Sequence, residues 1–404
     1  MASILDVLCL LAALPVLVAS GYLGFLTLFS GRVQPPLQRA PHLRFDLVVP
    51  ARDEESGISA TVRSLAQVDY PAELRRVVVV ADNCSDGTAR RAREAGAVVL
   101  ERHDLGRTGK GFALAAAFDW SLAEGFADAV VVVDADSLVS RELLREFAAR
   151  LDAGALAVQG RYGIRAPEQA WRTRLMAIAF ALFHDLRSRA RERLGVSAGL
   201  RGNGMCLATE LLRKVPHHAF SIVEDVEYGL QLGLAGYRVH YAEEAAVFGE
   251  MLASGSASRS QRRRWEGGRL RILREHGCGL LRTALRRRDP VLLDLAMDVL
   301  VPPLSLVVIA AALGLAVSAL SSLLAGAALW SLYAWGACAV LLLAYVARGW
   351  AISGAGPRGL IDLAFTPVYV AWKLAVLLQK SGHAPHAWIR TARAGERRHV
   401  PVAR

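Results

Sequence analysis

Ala129-Val130-Val131-Val132-Val133-Asp134-Ala135-Asp136 is the stretch on which the reading of this chain turns. An unbroken run of β-branched residues suits a strand buried on both faces of a parallel sheet. Alternate residues of an extended strand end point the same way, so one face can present both carboxylates. In open parallel sheets the ligand crevice lies beyond the carboxyl ends of the strands. The pair of acids therefore stands where such sheets bind ligands. Two hard oxygen donors suit Mg²⁺ or Mn²⁺, and such an ion can neutralise charge building on a leaving diphosphate. The competing reading is an acidic strand end that caps the helical pattern opening at Arg141-Glu142-Leu143.

Comparable runs lie on either side. Candidate strands fall at 45–50, 77–82, 97–101, 129–134 and 155–159, with helical patterns such as 59–67, 86–95 and 110–123 between them. Alternating β and α units imply a doubly wound α/β domain with a mostly parallel sheet, placed at residues 32–290. Asp53 follows the first strand, Asp82 ends the second and Asp134 ends the fourth. Three segments thus deliver carboxylates to one rim. Such a cluster repels itself unless it holds a cation or accepts hydrogen bonds from ligand hydroxyls.

Composition places this domain at a membrane. The chain has 404 residues, 53% hydrophobic and 21% charged, and a mean hydropathy of +0.31. That is too apolar for an ordinary soluble protein and too charged for a bare helix bundle. Between Asp6 and Arg32 lie 25 uncharged residues, enough for one crossing. A cleaved signal peptide, the rival reading, normally has a basic start, and here Asp6 precedes the run. Residues 299–347 carry no charge over 49 positions, which suits two crossings joined by a turn near Ser321-Ser322-Leu323. Residues 1–31 and 291–348 are thus assigned to transmembrane helices. A shorter apolar stretch, 363–378, is interrupted by Lys373 and suits an interfacial or re-entrant helix within 349–404, beside a basic tail. Arg32, Arg39 and Arg44 follow the first segment and an arginine cluster precedes the second, so the domain and the tail face the cytoplasm of a multi-pass inner-membrane protein. The net charge of +11 then suits lipid and a phosphorylated substrate rather than nucleic acid. Five scattered cysteines form no CxxC pair, so neither a zinc site nor a disulfide framework is indicated.

Four further motifs carry chemistry, each with a plainer alternative. Asp82-Asn83-Cys84-Ser85-Asp86-Gly87-Thr88 has turn composition; Asp86 suits a cap, whereas Asp82 is placed to bond a base or ribose. Gly106-Arg107-Thr108-Gly109-Lys110-Gly111 is a glycine-rich loop that brings N–H groups and Lys110 toward a phosphate, though its spacing is not that of a Walker loop. Glu224-Asp225 opens a helical pattern. Acids there often serve only the helix dipole, but an acid is also needed to take a proton from an acceptor hydroxyl. His217 and His218, just before it, read as surface loop residues. Finally, the segment 259–288 holds eleven arginines and reads as a lipid-facing helix. Within it Gln261, Arg264 and Trp265 share one helical face and could bind a diphosphate and cover a sugar ring.

Val49-Pro50-Ala51-Arg52-Asp53-Glu54, Asp82, Asp134-Ala135-Asp136, Glu224-Asp225 and Gln261-Arg262-Arg263-Arg264-Trp265, in that order, resemble the membrane-bound family 2 glycosyltransferases. The resemblance implies an inverting enzyme with a GT-A fold, a nucleotide-diphospho-sugar transferase domain flanked by transmembrane helices. By that resemblance Asp53 or Glu54 and Asp82 contact the nucleotide, and Asp134 and Asp136 hold the donor diphosphate through Mg²⁺ or Mn²⁺. Asp225 is the general base, and Gln261–Trp265 close over donor and acceptor. Gly202-Asn203-Gly204 resembles the acceptor lining, and 388–393 echoes a C-terminal signature. Val223 stands where Thr is usual and Ala81 where a second Asp is frequent. The donor is expected to be a UDP-sugar. The acceptor is read as a polysaccharide or glycan, with a single transfer to a lipid as the alternative. A polymer channel would need more helices, from an oligomer or an export partner. A nucleotidyltransferase and a membrane scaffold are the rival classes; the first has no use for the Gln261–Trp265 element and the second leaves the acids unexplained.

Overall fold

The computed structural model describes residues 2–250, 255–325 and 329–366, with side chains except at 2, 3, 255–266, 269 and 270. In chain order the first half runs α1 (Ala2–Phe29), β1 (Phe45–Ala51), α2 (Ile58–Ala66), β2 (Arg75–Asp82), α3 (Thr88–Glu94), β3 (Val98–Arg102), α4 (Lys110–Glu124), β4 (Ala129–Val132), β5 (Ser137–Val139), α5 (Leu143–Asp152) and β6 (Ala157–Ile164). It continues with α6 (Trp171–Phe180), a π-helical segment (Ala181–Leu186), α7 (Arg187–Leu194), β7 (Met205–Ala208), α8 (Thr209–Lys214), α9 (Glu224–Leu234) and β8 (His240–Gly249). The remaining described helices are α10 (Gly255–Arg287), α11 (Pro290–Leu300), α12 (Leu304–Ala325), α13 (Trp330–Ser353) and α14 (Gly356–Asp362).

The strands form one sheet in the order β3-β2-β1-β4-β7-β6-β8-β5. β3, β2, β1 and β4 are mutually parallel, as are β6 and β8; β7 and β5 run against their neighbours. The valine runs bury both faces. Leu47, Val49, Val79, Val131 and Val133 join one apolar cluster with α2 and α5. Val48, Val78, Val80, Val130 and Val132 join another with α4, α8 and α9. The five strands read from sequence are all present, shifted by one to two residues at most ends. β5, β7 and β8 are additional.

The apolar helices give three segments long enough to cross a membrane, Ile4–Phe29, Leu304–Ala325 and Trp330–Ser353. The turn anticipated at Ser321-Ser322-Leu323 is instead helical, and α12 continues to Ala325. At 1.5 Å per residue a helix stopped at Ser321 would span only about 27 Å, short of the roughly 30 Å hydrocarbon layer. The expected segment edges move as well, since 291 falls inside α11 and 348 inside α13. The Ser331 N–H donates to Asp6 at 2.9 Å, and Arg348 Nε donates to Ser30 Oγ at 3.0 Å. α1 and α13 are therefore parallel, and α14 returns to the domain, where Asp362 pairs with Arg174 of α6 at 2.5 Å. Of the stretch 363–378 only the first residues are described; Lys373 and 388–393 lie outside the described residues.

The domain is seated on these helices by α6, the π-helical segment and α7. Leu175, Ile178, Leu182, Leu186 and Ala190 share an apolar cluster with Leu23, Leu26, Trp335, Leu342 and Tyr345. A buried ion cluster adjoins it. Asp298 of α11 lies 3.0 Å from Arg187, 2.8 Å from Arg191 and 3.6 Å from Arg201, while Asp294 lies 3.0 Å from Arg191. Arg191 is fully buried and also donates to Tyr22 of α1 at 2.8 Å.

Candidate active site

Register fixes where the acids emerge. Ala51 pairs with Ala81 and Val48 with Val132, and the Val133 N–H donates to Val48 O. Asp53, Asp82 and Asp134 therefore leave three adjacent strands at the same end. Beyond β4 the chain is held from two sides. Thr61 of α2 donates to Ala135 O at 2.7 Å, and the Asp134 N–H donates to Asn203 Oδ1 at 3.1 Å.

Asn203 belongs to a loop that the sheet grips tightly. Gln159 of β6, 1% exposed, donates to Asn203 O at 2.7 Å and accepts from the Arg201 N–H at 2.9 Å. Asn203 Nδ2 reaches Ser137 Oγ at 2.8 Å. Gly202 has φ +79°, and a Cβ there would lie 3.1 Å from Asp225 Oδ2. A side chain at 202 would thus be strained and would crowd the acid opposite.

Lys110 organises the centre. Its ammonium lies 2.6 Å from Asp134 Oδ1, 3.5 Å from Glu224 Oε1 and 2.6 Å from Gly202 O. Burial alone would depress this lysine, but Asp134, Glu224 and Asp225 outweigh it and hold the ammonium charged. The glycine-rich loop leads to a helix start, as read from sequence, yet its lysine is engaged by acids. Burial pushes Glu224 up to about 7, against the pull of Lys110 and with a further push from Asp225. Burial also raises Asp225, with Lys110 opposing. Desolvated carboxylates set against a specific charge partner make this cluster a candidate acid–base site.

Tyr162 of β6 was not anticipated. Burial raises its phenol, followed by the charges of Asp134 and Asp136, and Asp225 adds to them while a hydrogen bond with Asn203 opposes. The charges of all three carboxylates therefore reach it. The only sequence hint was its place three residues after Gln159 at a predicted strand end. Asp134 and Asp136 offer oxygen donors only, and Asp134 already attracts one cation, Lys110. The site fits a hard divalent ion.

A second group lies alongside. Asp82 is fully buried. Its Oδ1 accepts from Arg102 at 2.6 Å and from Asn83 at 3.2 Å, while Oδ2 has no partner among the described residues. Asp104 and Asn83 exchange bonds that tie the glycine-rich loop to this turn. Asp53 sits at φ 54° and accepts from Ser85 N at 2.7 Å. The Glu54 N–H donates to Thr88 Oγ1 at 2.7 Å. Asp86 caps the turn through the Thr88 N–H at 3.0 Å. Cys84 lies close to Asp53 and Asp86, but burial pushes its thiol up to about 11, so it is a poor metal ligand at neutral pH.

His217 is a correction. It is 8% exposed, packed against Tyr228, Phe118 and Phe220, and burial lowers its imidazole to about 4. The neighbouring apolar helices outweigh the loop's polarity. His218 remains exposed. Gln261, Arg264 and Trp265 lie on the α10 backbone, but their side chains are outside the described residues. Three residues beyond Trp265, a Cβ on Gly268 would meet Val223 at 2.6 Å, so α10 crosses close to the start of α9. Val223, where Thr was usual, is part of that apolar contact.

A family profile described as "Glycosyltransferase like family 2" matches residues 41–268. The beta-monoglucosyldiacylglycerol synthase of Synechocystis sp. is 29% identical over 253 residues, covering 59% of this chain and 52% of that protein. The polyprenol monophosphomannose synthase of Mycolicibacterium smegmatis is 27% identical over 218 residues, covering 48% of this chain and 80% of that protein. The chain spans about half the length of most curated relatives it matches. Among solved structures, the mannosyltransferase PcManGT from Pyrobaculum calidifontis, in complex with GDP-Man and Mn²⁺, aligns with a TM-score of 0.53 at 20% identity. That alignment covers 87% of this chain and 99% of that one, and the shared fold is of the GT-A type.

Proposed function

The chain belongs to glycosyltransferase family 2, and from that membership we propose that it moves a sugar from a nucleoside-diphosphate donor, UDP-linked in the first instance, to an acceptor held at the membrane. The observation that carries this reading is the convergence of Lys110, Asp134, Glu224 and Asp225 at one sheet rim. Asp82, one of whose oxygens has no partner among the described residues, and the Asp53–Glu54 turn receive the nucleotide. Asp134 and Asp136 hold Mg²⁺ or Mn²⁺, which supplies positive charge to the departing diphosphate. Asp225 takes the proton from the acceptor hydroxyl. The acceptor oxygen bonds to the anomeric carbon while the bond to the diphosphate breaks, with inversion. Arg264, Gln261 and Trp265 cover the donor. The catalytic domain lies on the cytoplasmic side of the inner membrane.

For the acceptor we favour a single transfer to a lipid over a growing glycan, which reverses the order suggested by the sequence. Support comes from α1, α12 and α13, which pack directly on one another through Leu23, Leu26, Val307, Ala311, Trp335 and Leu342. Two of the relatives are named for glycolipid products. A single transfer also requires no export partner. The test is product analysis of the lipid-reconstituted protein with Mg²⁺ or Mn²⁺ and labelled nucleotide sugars. Label in organic-extractable material supports the lipid reading, and label in high-mass material replaces it with polymer synthesis.

A further inference from the structure

The loop between α7 and β7 joins two parts of the molecule. Its backbone and Asn203 serve the transferase centre. Gly202 O accepts from the Lys110 ammonium at 2.6 Å, and Asn203 Oδ1 accepts from the Asp134 N–H at 3.1 Å. The side chain just before them, Arg201, is 7% exposed and goes instead to the seam with the membrane helices. Its guanidinium lies 4.3 Å from the centre of the Phe183 ring in the π-helical segment. It also donates to Ala198 O at 3.2 Å and stands 3.6 Å from Asp298 of α11.

A backbone of this kind needs anchors. Gly202 and Gly204 have φ of +79° and +71°, and glycine loses more conformational freedom on ordering than any other residue. Gln159 holds the loop from the sheet, through the Arg201 N–H and Asn203 O. The Arg201 side chain ties it to helices outside the sheet.

Asp298 is itself fixed by the membrane helices. It lies 3.0 Å from Arg187 and 2.8 Å from Arg191. Arg187 donates to Tyr345 of α13 at 2.9 Å, and Arg191 donates to Tyr22 of α1 at 2.8 Å. A continuous run of polar contacts thus leads from α1 and α13 to the residue that precedes Gly202. The charge of Arg201 is also felt at the acids: after Lys110, it opposes the rise that burial imposes on Asp225.

We propose that Arg201, held by Asp298, is a positioning residue of the transferase, fixing the loop through which Gly202 O and Asn203 keep Lys110 and Asp134 in place. The inference rests on the transferase reading and adds to it a mechanical link from the membrane helices.

The test uses the full chain reconstituted in lipid. For each variant kcat is expressed per nucleotide-binding site, counted by calorimetric titration with UDP and Mn²⁺, so that unfolded protein does not lower it. Arg201→Met is expected to keep nucleotide affinity and to lower kcat by about a hundredfold, the scale of a misplaced catalytic group. Arg201→Lys keeps the charge toward Asp298 but not the planar fork, and recovers about tenfold of that loss. Asp298→Asn lowers kcat as well, and its combination with Arg201→Met falls no further than Arg201→Met alone. Arg174→Met breaks a different seam pair, with Asp362, and keeps kcat per site.

Hydrogen exchange in the same proteins gives a readout free of turnover. The amides at 201 and 134, which donate to Gln159 and Asn203, should exchange about tenfold faster in Arg201→Met and Asp298→Asn, with the interior of β4 still protected. Wild-type exchange at these amides, an unchanged kcat per site in Arg201→Met, or additive losses in the double variant overturns the proposal. A wild type that transfers no sugar overturns the transferase reading instead, and the exchange result still decides whether Arg201 anchors the loop.

Discussion

Lys110 Nζ stands 2.6 Å from Asp134 Oδ1, so the acid expected to hold a metal is already neutralised by an ammonium from the glycine-rich loop. This lysine supplies charge that opposes the mutual repulsion of the rim carboxylates. A metal held by Asp134, as proposed, would share it with this ammonium.

Lys110→Met leaves Asp134, Glu224 and Asp225 without that charge, and losing a partly buried pair costs about 1–3 kcal/mol. Thermal unfolding should show that loss, with partial recovery on adding Mn²⁺. No recovery with Mn²⁺ or Mg²⁺ would count against Asp134 and Asp136 as the metal pair.

Glu224 gives a signed pH dependence. Its folded value, about 7, lies above the ordinary 4.5, so the folded state binds the proton more tightly. Its contribution to stability is therefore present at low pH and is lost as pH rises from 4.5 toward 7. Across that window the unfolding midpoint of wild type should fall relative to Glu224→Gln. Parallel curves for the two proteins would contradict the raised value.

Asp225→Asn should keep nucleotide affinity and lower kcat by about a thousandfold, the scale of a lost general base. Paired measurements of nucleotide binding and turnover decide this. Full activity in the variant would remove Asp225 as the base.

Asp82→Ala removes the buried carboxylate proposed to receive the nucleotide. Calorimetric titration should show nucleotide affinity weakened by about tenfold, with kcat at saturating donor little changed. Unaltered affinity would assign Asp82 to holding Arg102 alone.

Asp298→Ala takes the shared carboxylate from Arg187, Arg191 and Arg201. Loss of one buried partner costs about 3–5 kcal/mol, read as a lower unfolding midpoint in detergent. A midpoint unchanged from wild type would show that the seam stands on its apolar cluster.

The parallel half of the sheet was legible because its signals are local: valine runs, a turn rich in Asx and Gly, and acids at strand ends. The strands beyond β4, apart from β6, were not. β7 has only four residues, Met205–Ala208, just after Gly202 and Gly204. β8 carries Glu243-Glu244 at a bulge, which breaks any alternation. Arg187, Arg189 and Arg191 would pass for a solvated face in a sequence, yet all three are buried. Their partners at 243, 294 and 298 are 54 to 111 residues away.

The placement of Asp53, Asp82 and Asp134 after parallel strands was legible in the chain, because strand direction and the position of an acid after a strand are local properties. What those acids do to one another follows from packing between distant segments. That packing brought Lys110 among them, set Tyr162 within reach of their charges and raised Glu224. Charge pairing and desolvation depend on distances between segments far apart in sequence, which no local pattern encodes.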